Sequence, residues 1–400
     1  MMDLIYSFAF LTIVAAAGSD ADAGLPGVLP NSRKAFQVSA SINEIPIVTT
    51  SRCPLSHLKL SKWSSRGWTL QEQALSRRIL VFTMGIVFIR CSKALFREDV
   101  VLEHKFGVYE QKKQTAGIIL GIHDHLKEMR LWNADMWEEL RSSGLMSAID
   151  AWDIYRTLTG DLATREFTVQ EDVLNAFYGI SKTLEPSLGE FWYSLPCHRF
   201  IDSLLWTTDS EIPAPRRNGF PSWSWAGWRL GRTEKLYLRN PLLQPILVED
   251  YYRFNHAQEI VRVIDGKAVK EPNIHELPSL SNITMKGRLL IMWGSVLDLS
   301  VDKDVDPKSK TPNTYVVRDS KRRIIGRITL NPEWRRKQPR RLPFVEVGRC
   351  KKRGIVMATL LGWDENEARR VACRLHTILP LLKETYWDAE NPQRRLLVLG

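Results

Sequence analysis

The stretch SSRGWTLQE, residues 64–72, holds the densest group of side chains that can do chemistry. Arg66 can pair with a carboxylate or receive an anionic ligand. Thr69 and Glu72 stand three apart, as in a capping box, so Glu72 can also accept from the backbone at a helix start. Spacing alone does not choose between these roles. A second group lies in residues 321–353, with 13 basic residues against two acidic ones. Arg335, Arg336, Lys337, Arg340 and Arg341 form its core, and Trp334 beside them suits stacking. Such a run can contact phosphates of a nucleic acid or a membrane surface. The plainer reading is a set of solvated surface cations, and no nucleic-acid-binding motif accompanies it.

Other chemistry is thin. The pair His123 and His125 around Asp124 is short of metal ligands, since no spacing supplies the rest. Asp20-Ala-Asp22-Ala-Gly24 opens like a calcium loop, but the glycine comes one position early and Asn31 stands where a bidentate Glu is required. No metal is expected, and no cofactor. There is no G-x-S-x-G elbow, no phosphate-binding G-x-x-x-x-G-K-[S/T] loop and no H-E-x-x-H. The five cysteines, at 53, 91, 197, 350 and 373, form no C-x-x-C pair. That argues against both a thiolate metal site and a disulfide framework. No complete catalytic constellation emerges, which weighs against an enzyme without deciding it.

These residues need elements to hold them. A helix is expected from about Leu70 to Arg77, following the capping box. Residues 79–82 and 86–91 flank Thr83-Met84-Gly85 as a β-hairpin. Helical spacing runs through 126–140, where Met129, Trp132, Met136, Trp137 and Leu140 fall on one face. A further helix is expected over 147–158. Thr168-x-x-Glu171 signals another, with Val173, Leu174, Phe177 and Ile180 on its apolar face. FPSWSWAGWRL, 220–230, alternates as a strand, with Trp223 and Trp225 in a buried core face rather than a ligand platform. Short β-type runs dominate from residue 280. The expected organisation is an α/β segment with a hairpin (1–105), a mainly helical middle (106–230), a linker or irregular stretch (231–280) and a β-rich basic end (281–400). Charge follows that order: residues 1–200 carry 21 Lys and Arg against 22 Asp and Glu, the rest 35 against 23.

The opening residues decide the compartment. Residues 4–17 are apolar except for Tyr6, Ser7 and Thr12, and Ala15 and Ala17 form an A-x-A pattern. A signal peptide also needs a basic start, yet Arg33 is the first basic residue. The better reading is a short amphipathic helix followed by a strand at 11–16, buried on both faces in a parallel sheet. No apolar run reaches the roughly 20 residues of a membrane span. A cytoplasmic protein is expected.

SSRGWTLQE resembles the closing motif of the fungal heterokaryon incompatibility (HET) domain, a pattern S-R-G/A-W-T-x-Q-E that takes in Arg66, Gly67, Trp68, Thr69, Gln71 and Glu72. Other stretches resemble the family in the same order. They are residues 2–28 with their G-L-P-G-V loop, the hairpin LSRRILVFTMGIVFIRC, the helix EDVLNAFYGI, then FIDSLLW and PSWSWAGW. The resemblance implies a protein of fungal non-self recognition and cell death, acting by association with an unknown protein, such as another incompatibility protein. It implies a TIR-like, flavodoxin-like sheet. TIR domains include NAD-cleaving enzymes, and by that analogy Glu72 is the sole catalytic candidate, with Arg66, Trp68 and Gln71 as neighbours; a structural role is the expectation. The family's Leu-Ser-Tyr-x-Trp-Gly and Ile-Asp-x-x-Cys-Ile-x-Gln segments are absent. The resemblance therefore implies a chain that starts at about the domain's midpoint, a truncated or degenerate copy.

Overall fold

The computed structural model describes residues 2–30, 32–33, 38–49, 54–91, 95–99, 148–209, 214–238, 251–254, 260–264, 267–270, 286–304, 313–350, 355–363 and 372–400. The pair His123 and His125 and the expected helix at 126–140 lie outside the described residues. The chain divides into two units: residues 1–158 with 165–187, and residues 159–164 with 188–400.

In the first unit, helix α1 (Met2–Phe8) precedes strand β1 (Thr12–Ala15). A hairpin of β2 (Ser39–Ile42) and β3 (Ile45–Val48) turns through Asn43 and Glu44, both left-handed at φ 49° and 64°. Three short helices follow, α2 (Pro54–Lys59), α3 (Lys62–Ser65) and α4 (Thr69–Leu75). Then come β4 (Arg78–Phe82), β5 (Val87–Cys91) and β6 (Leu95–Arg97). The sheet order is β1-β4-β5-β6. Thr12 to Ala15 run parallel to Ile79 to Phe82, and the other pairs are antiparallel. The expected hairpin is present: Thr83 closes it, its hydroxyl accepting from Ile86 N and donating to Ile86 O. Val14, Ala16, Leu58, Trp63, Ile79, Val81 and Phe88 make one apolar core.

The expectation that β1 is buried on both faces fails. Val14 and Ala16 are buried, whereas Ile13 and Ala15 are exposed. The same alternation runs through β4 and β5, where Ile79, Val81 and Phe88 are buried between more exposed neighbours, so among the described residues only one face of this sheet is fully covered.

Two long helices complete the middle, α5 (Ala148–Ala163) and α6 (Asp172–Leu188). α6 starts after Glu171, not at Thr168, because Asp172 N and Val173 N bond to Val169 O and Gln170 O in a turn ahead of it. Val173, Phe177 and Ile180 are buried on its inner face as expected, and Leu174 is half-buried at its margin.

The second unit holds a short hairpin, β7 (Phe191–Trp192) with β8 (Leu195–Pro196), then helix α7 (Phe200–Leu204), and an antiparallel pair, β9 (Trp206–Thr208) with β10 (Leu236–Leu238). Its main sheet comprises β11 (Tyr251–Phe254), β12 (Ile260–Ile264), β13 (Lys267–Lys270), β14 (Leu290–Lys303), β15 (Thr314–Arg318), β16 (Ile324–Thr329), β17 (Arg341–Cys350), β18 (Ile355–Trp363), β19 (Ala372–Lys383) and β20 (Gln393–Leu399). Helix α8 (Pro332–Arg336) precedes β17 and α9 (Glu384–Asp388) precedes β20. The 14-residue β14 is the spine: β11 and β17 line one edge, β20 and β15 the other. β19 meets β20 at one parallel bridge, Ala372 with Leu399, so the sheet curls into a half-barrel. Helices in the middle and a β-rich C-terminal half are thus as expected. The stretch 231–280, read as linker or irregular, carries β10 to β13.

FPSWSWAGWRL is not a strand. Residues 225–227 form a 3-10 turn, capped by Ser224, whose side chain accepts from Ala226 N. Trp223, Trp225 and Trp228 are nonetheless fully buried. Their polar handles explain the fold: Trp206, Trp223 and Trp228 donate from Nε1 to the carbonyls of Trp223, Arg288 and Ser222 at 2.8, 2.9 and 2.8 Å. A tight turn stapled by buried indoles satisfies backbone groups that a strand would have left to a neighbour.

Candidate functional site

The SSRGWTLQE segment is built from two helical turns with a sharp break between them. Ser61 caps α3, and the chain reverses through Arg66 and Gly67 before α4 begins at Thr69. The expected capping box does not form. Trp68, in the N-cap position, makes no side-chain cap bond, and Thr69 lies inside the helix. The Thr69 hydroxyl instead donates back to Trp63 O and Arg66 O, at 2.7 and 2.8 Å. That frees Glu72 to point elsewhere.

Both Glu72 carboxylate oxygens are occupied. One accepts from the Tyr6 hydroxyl at 3.0 Å, the other from Trp63 Nε1 at 3.0 Å. Burial, followed by the Glu72 charge, pushes the Tyr6 phenol up to about 12. Arg66 lies close enough to oppose that rise, and its side chain is exposed. Glu72 thus ties α1 to α3 and α4.

The remaining motif residues face 165–175. Gly67 N donates to Glu166 O at 2.9 Å, and Glu166 N donates to Ser65 O at 2.7 Å, a two-residue parallel bridge. The Phe167 ring covers Gly67 so closely that an added Cβ would stand 2.1 Å from it. Trp68 Nε1 donates to Asp172 at 3.2 Å, and Gln71 Nε2 to Asn175 O at 2.6 Å. Arg165, almost fully buried, donates to Thr69 Oγ1, Arg66 O and Gln73 Oε1 at 2.9, 3.2 and 2.9 Å. The motif is therefore a seat for the start of α6, with Arg66 as its one exposed side chain and Glu72 as its inner tie.

Arg165, Phe167, Asp172 and Tyr6 were missed in the sequence because their partners lie about a hundred or more than sixty residues away. No local periodicity announces such pairings.

The basic candidates are split. Arg335 is half-buried and donates to the carbonyls of Val301, Gln338 and Pro339. Arg340 forks onto Asp302 at 3.0 and 3.2 Å, which raises its pKa. Arg341 donates to Asp298 O at 2.5 and 3.1 Å. Arg336 and Lys337 remain on the surface, where Arg336 bonds Pro332 O at 3.4 Å. Three of the five cations thus bind the end of β14 and loop 338–340. Among the described residues, no group of three His, Cys, Asp or Glu could hold a metal, and no helix is long and apolar enough to cross a membrane.

Comparison with known proteins returns one family. The heterokaryon incompatibility protein (HET) family model matches residues 1–72, ending at Glu72. No curated protein and no solved structure matches the chain. The matched segment contains α1, β1 and the whole 64–72 seat, and it supports a HET-family protein.

Proposed function

We propose that this protein acts in heterokaryon incompatibility, the fungal response in which genetically different partners recognise one another after fusion and the mixed cell dies. The family match over residues 1–72 carries this reading. The first unit acts by association with a protein partner in the cytoplasm. Glu72 is a structural tie within it, since each of its oxygens already accepts a hydrogen bond. The TIR-like, flavodoxin-like comparison comes from the family resemblance; in the described sheet β1–β4 is parallel and the other two pairs are antiparallel.

Inducible expression in a filamentous fungus tests the proposal. Hyphal death is expected on induction and on fusion with an incompatible tester, and it persists in Glu72→Gln. Normal growth and fusion with folded protein present would overturn it. Loss of killing in Glu72→Gln, with an unchanged melting temperature, would replace association by catalysis.

A further inference from the structure

The half-barrel brings a second group of cations together, distinct from residues 335–341. β20 pairs with one edge of β14 over 290–296, and β15 pairs with the same edge over 300–303. The two strands therefore meet end to end beside residues 297–299. The tip of the β15–β16 hairpin is stitched to the turn before β20: Ser320 donates from its hydroxyl and its backbone N–H to Glu390, at 2.7 and 3.0 Å. Lys321, Arg322 and Arg323 sit at this tip, Lys383 enters α9, and Arg394 and Arg395 open β20; all six are exposed.

Two aromatic rings lie among them. Arg323 and Lys383 stand 4.6 and 5.7 Å from the Tyr386 ring centre, and Arg394 stands 5.4 Å from that of Trp293. Four acids stand against the six cations: Asp319, buried against Arg323 at 2.6 Å, Glu390, which accepts from Ser320, and Glu384 and Asp388. Cations laid over rings at the hairpin tip, on α9 and at the start of β20 suit a flexible polyanion that carries flat groups, since phosphates meet the cations and bases stack on guanidinium planes that the rings hold flat.

We propose that this junction is a contact surface for single-stranded nucleic acid. It is independent of the incompatibility reading, because it uses no residue of the matched segment.

The test is fluorescence anisotropy of the full-length protein with a labelled oligothymidine of 20 nucleotides, from 50 to 200 mM salt. Wild type binds, and affinity falls steeply with salt. The double variant Lys321→Glu/Arg322→Glu weakens binding about tenfold or more. Its salt slope falls by about 1.4, two phosphate contacts at about 0.7 each. Arg336→Glu/Lys337→Glu, with the same change in charge, stays within about twofold. Tyr386→Ala weakens binding where Tyr386→Phe does not. Equal weakening by both charge reversals would show bulk attraction and overturn the proposal. So would no binding at 50 mM, equal affinity for inorganic polyphosphate, or tighter binding to phosphatidylserine vesicles.

Discussion

Gly67 and Glu72 show how single residues of the 64–72 seat are constrained. Gly67 lies under the Phe167 ring, so Gly67→Ala forces a contact of 2.1 Å that the ring must relieve by moving. Overpacking of this kind costs about 1–3 kcal/mol. A lowered melting temperature is expected, with partial recovery in Gly67→Ala/Phe167→Leu; an unshifted melt would show that the ring gives way freely. Glu72→Ala strands the Tyr6 hydroxyl and the Trp63 indole, at about 1–3 kcal/mol. Glu72→Gln keeps an acceptor oxygen and should lose less. Tyr6 adds a pH signature. Its phenol titrates near 12 when folded, above its ordinary value of 10. The unfolded chain therefore releases this proton first, and the contribution of Tyr6 to stability is full below pH 10 and lost as pH rises towards 12. Denaturant titrations should show the gap between wild type and Tyr6→Phe closing over that window. A constant gap would mean that the phenol does not titrate in the folded protein as described.

At the scale of elements, α1 is the weakly held piece. It buries no residue fully, and it relies on the Tyr6–Glu72 bond and on close approach to α6. Gly179 permits that approach: an added methyl would lie 2.4 Å from Asp3 Cβ and 2.9 Å from Leu75 Cδ1. Gly179→Ala should raise amide exchange in residues 2–8 while β4 and β5 stay protected; unchanged exchange in α1 would show that the helix shifts without loosening. Such local features explain what could be read from the chain. The β4–β5 hairpin was legible because alternating Ile79, Val81 and Phe88 flank a Thr-closed turn. The start of α4 was legible to within a residue, but its capping box was not formed, because Thr69 bonds backward to Trp63 and Arg66, which no local pattern reports. The tryptophans at 223 and 225 were rightly placed inside but wrongly placed on a strand, since a buried indole packs equally well from a 3-10 turn. In the seat itself, the motif residues were visible and their partners at 165–175 were not.

At the scale of the whole molecule, exposed apolar surface gathers in the matched segment. Thirteen of the nineteen large hydrophobic residues exposed among the described residues fall within residues 2–60. Phe8 and Phe10, at 78% and 80% exposure, are the extreme of the α1–β1 portion. Surface of this kind marks an interaction site or an aggregation liability. The double variant Phe8→Ser/Phe10→Ser should raise the temperature at which light scattering begins; no change would place the liability elsewhere.

The spine of the half-barrel has a consequence for how the protein is made. β14 is complete once residue 303 leaves the ribosome, yet the partner for its residues 290–296 is 393–399. For about ninety residues of synthesis, seven spine positions stay open to any passing strand. Folding of this unit is thereby tied to residues 393–399, and pairing over so long a loop is slow. A stop codon at residue 393 would remove β20 and leave that growing-chain hazard permanent.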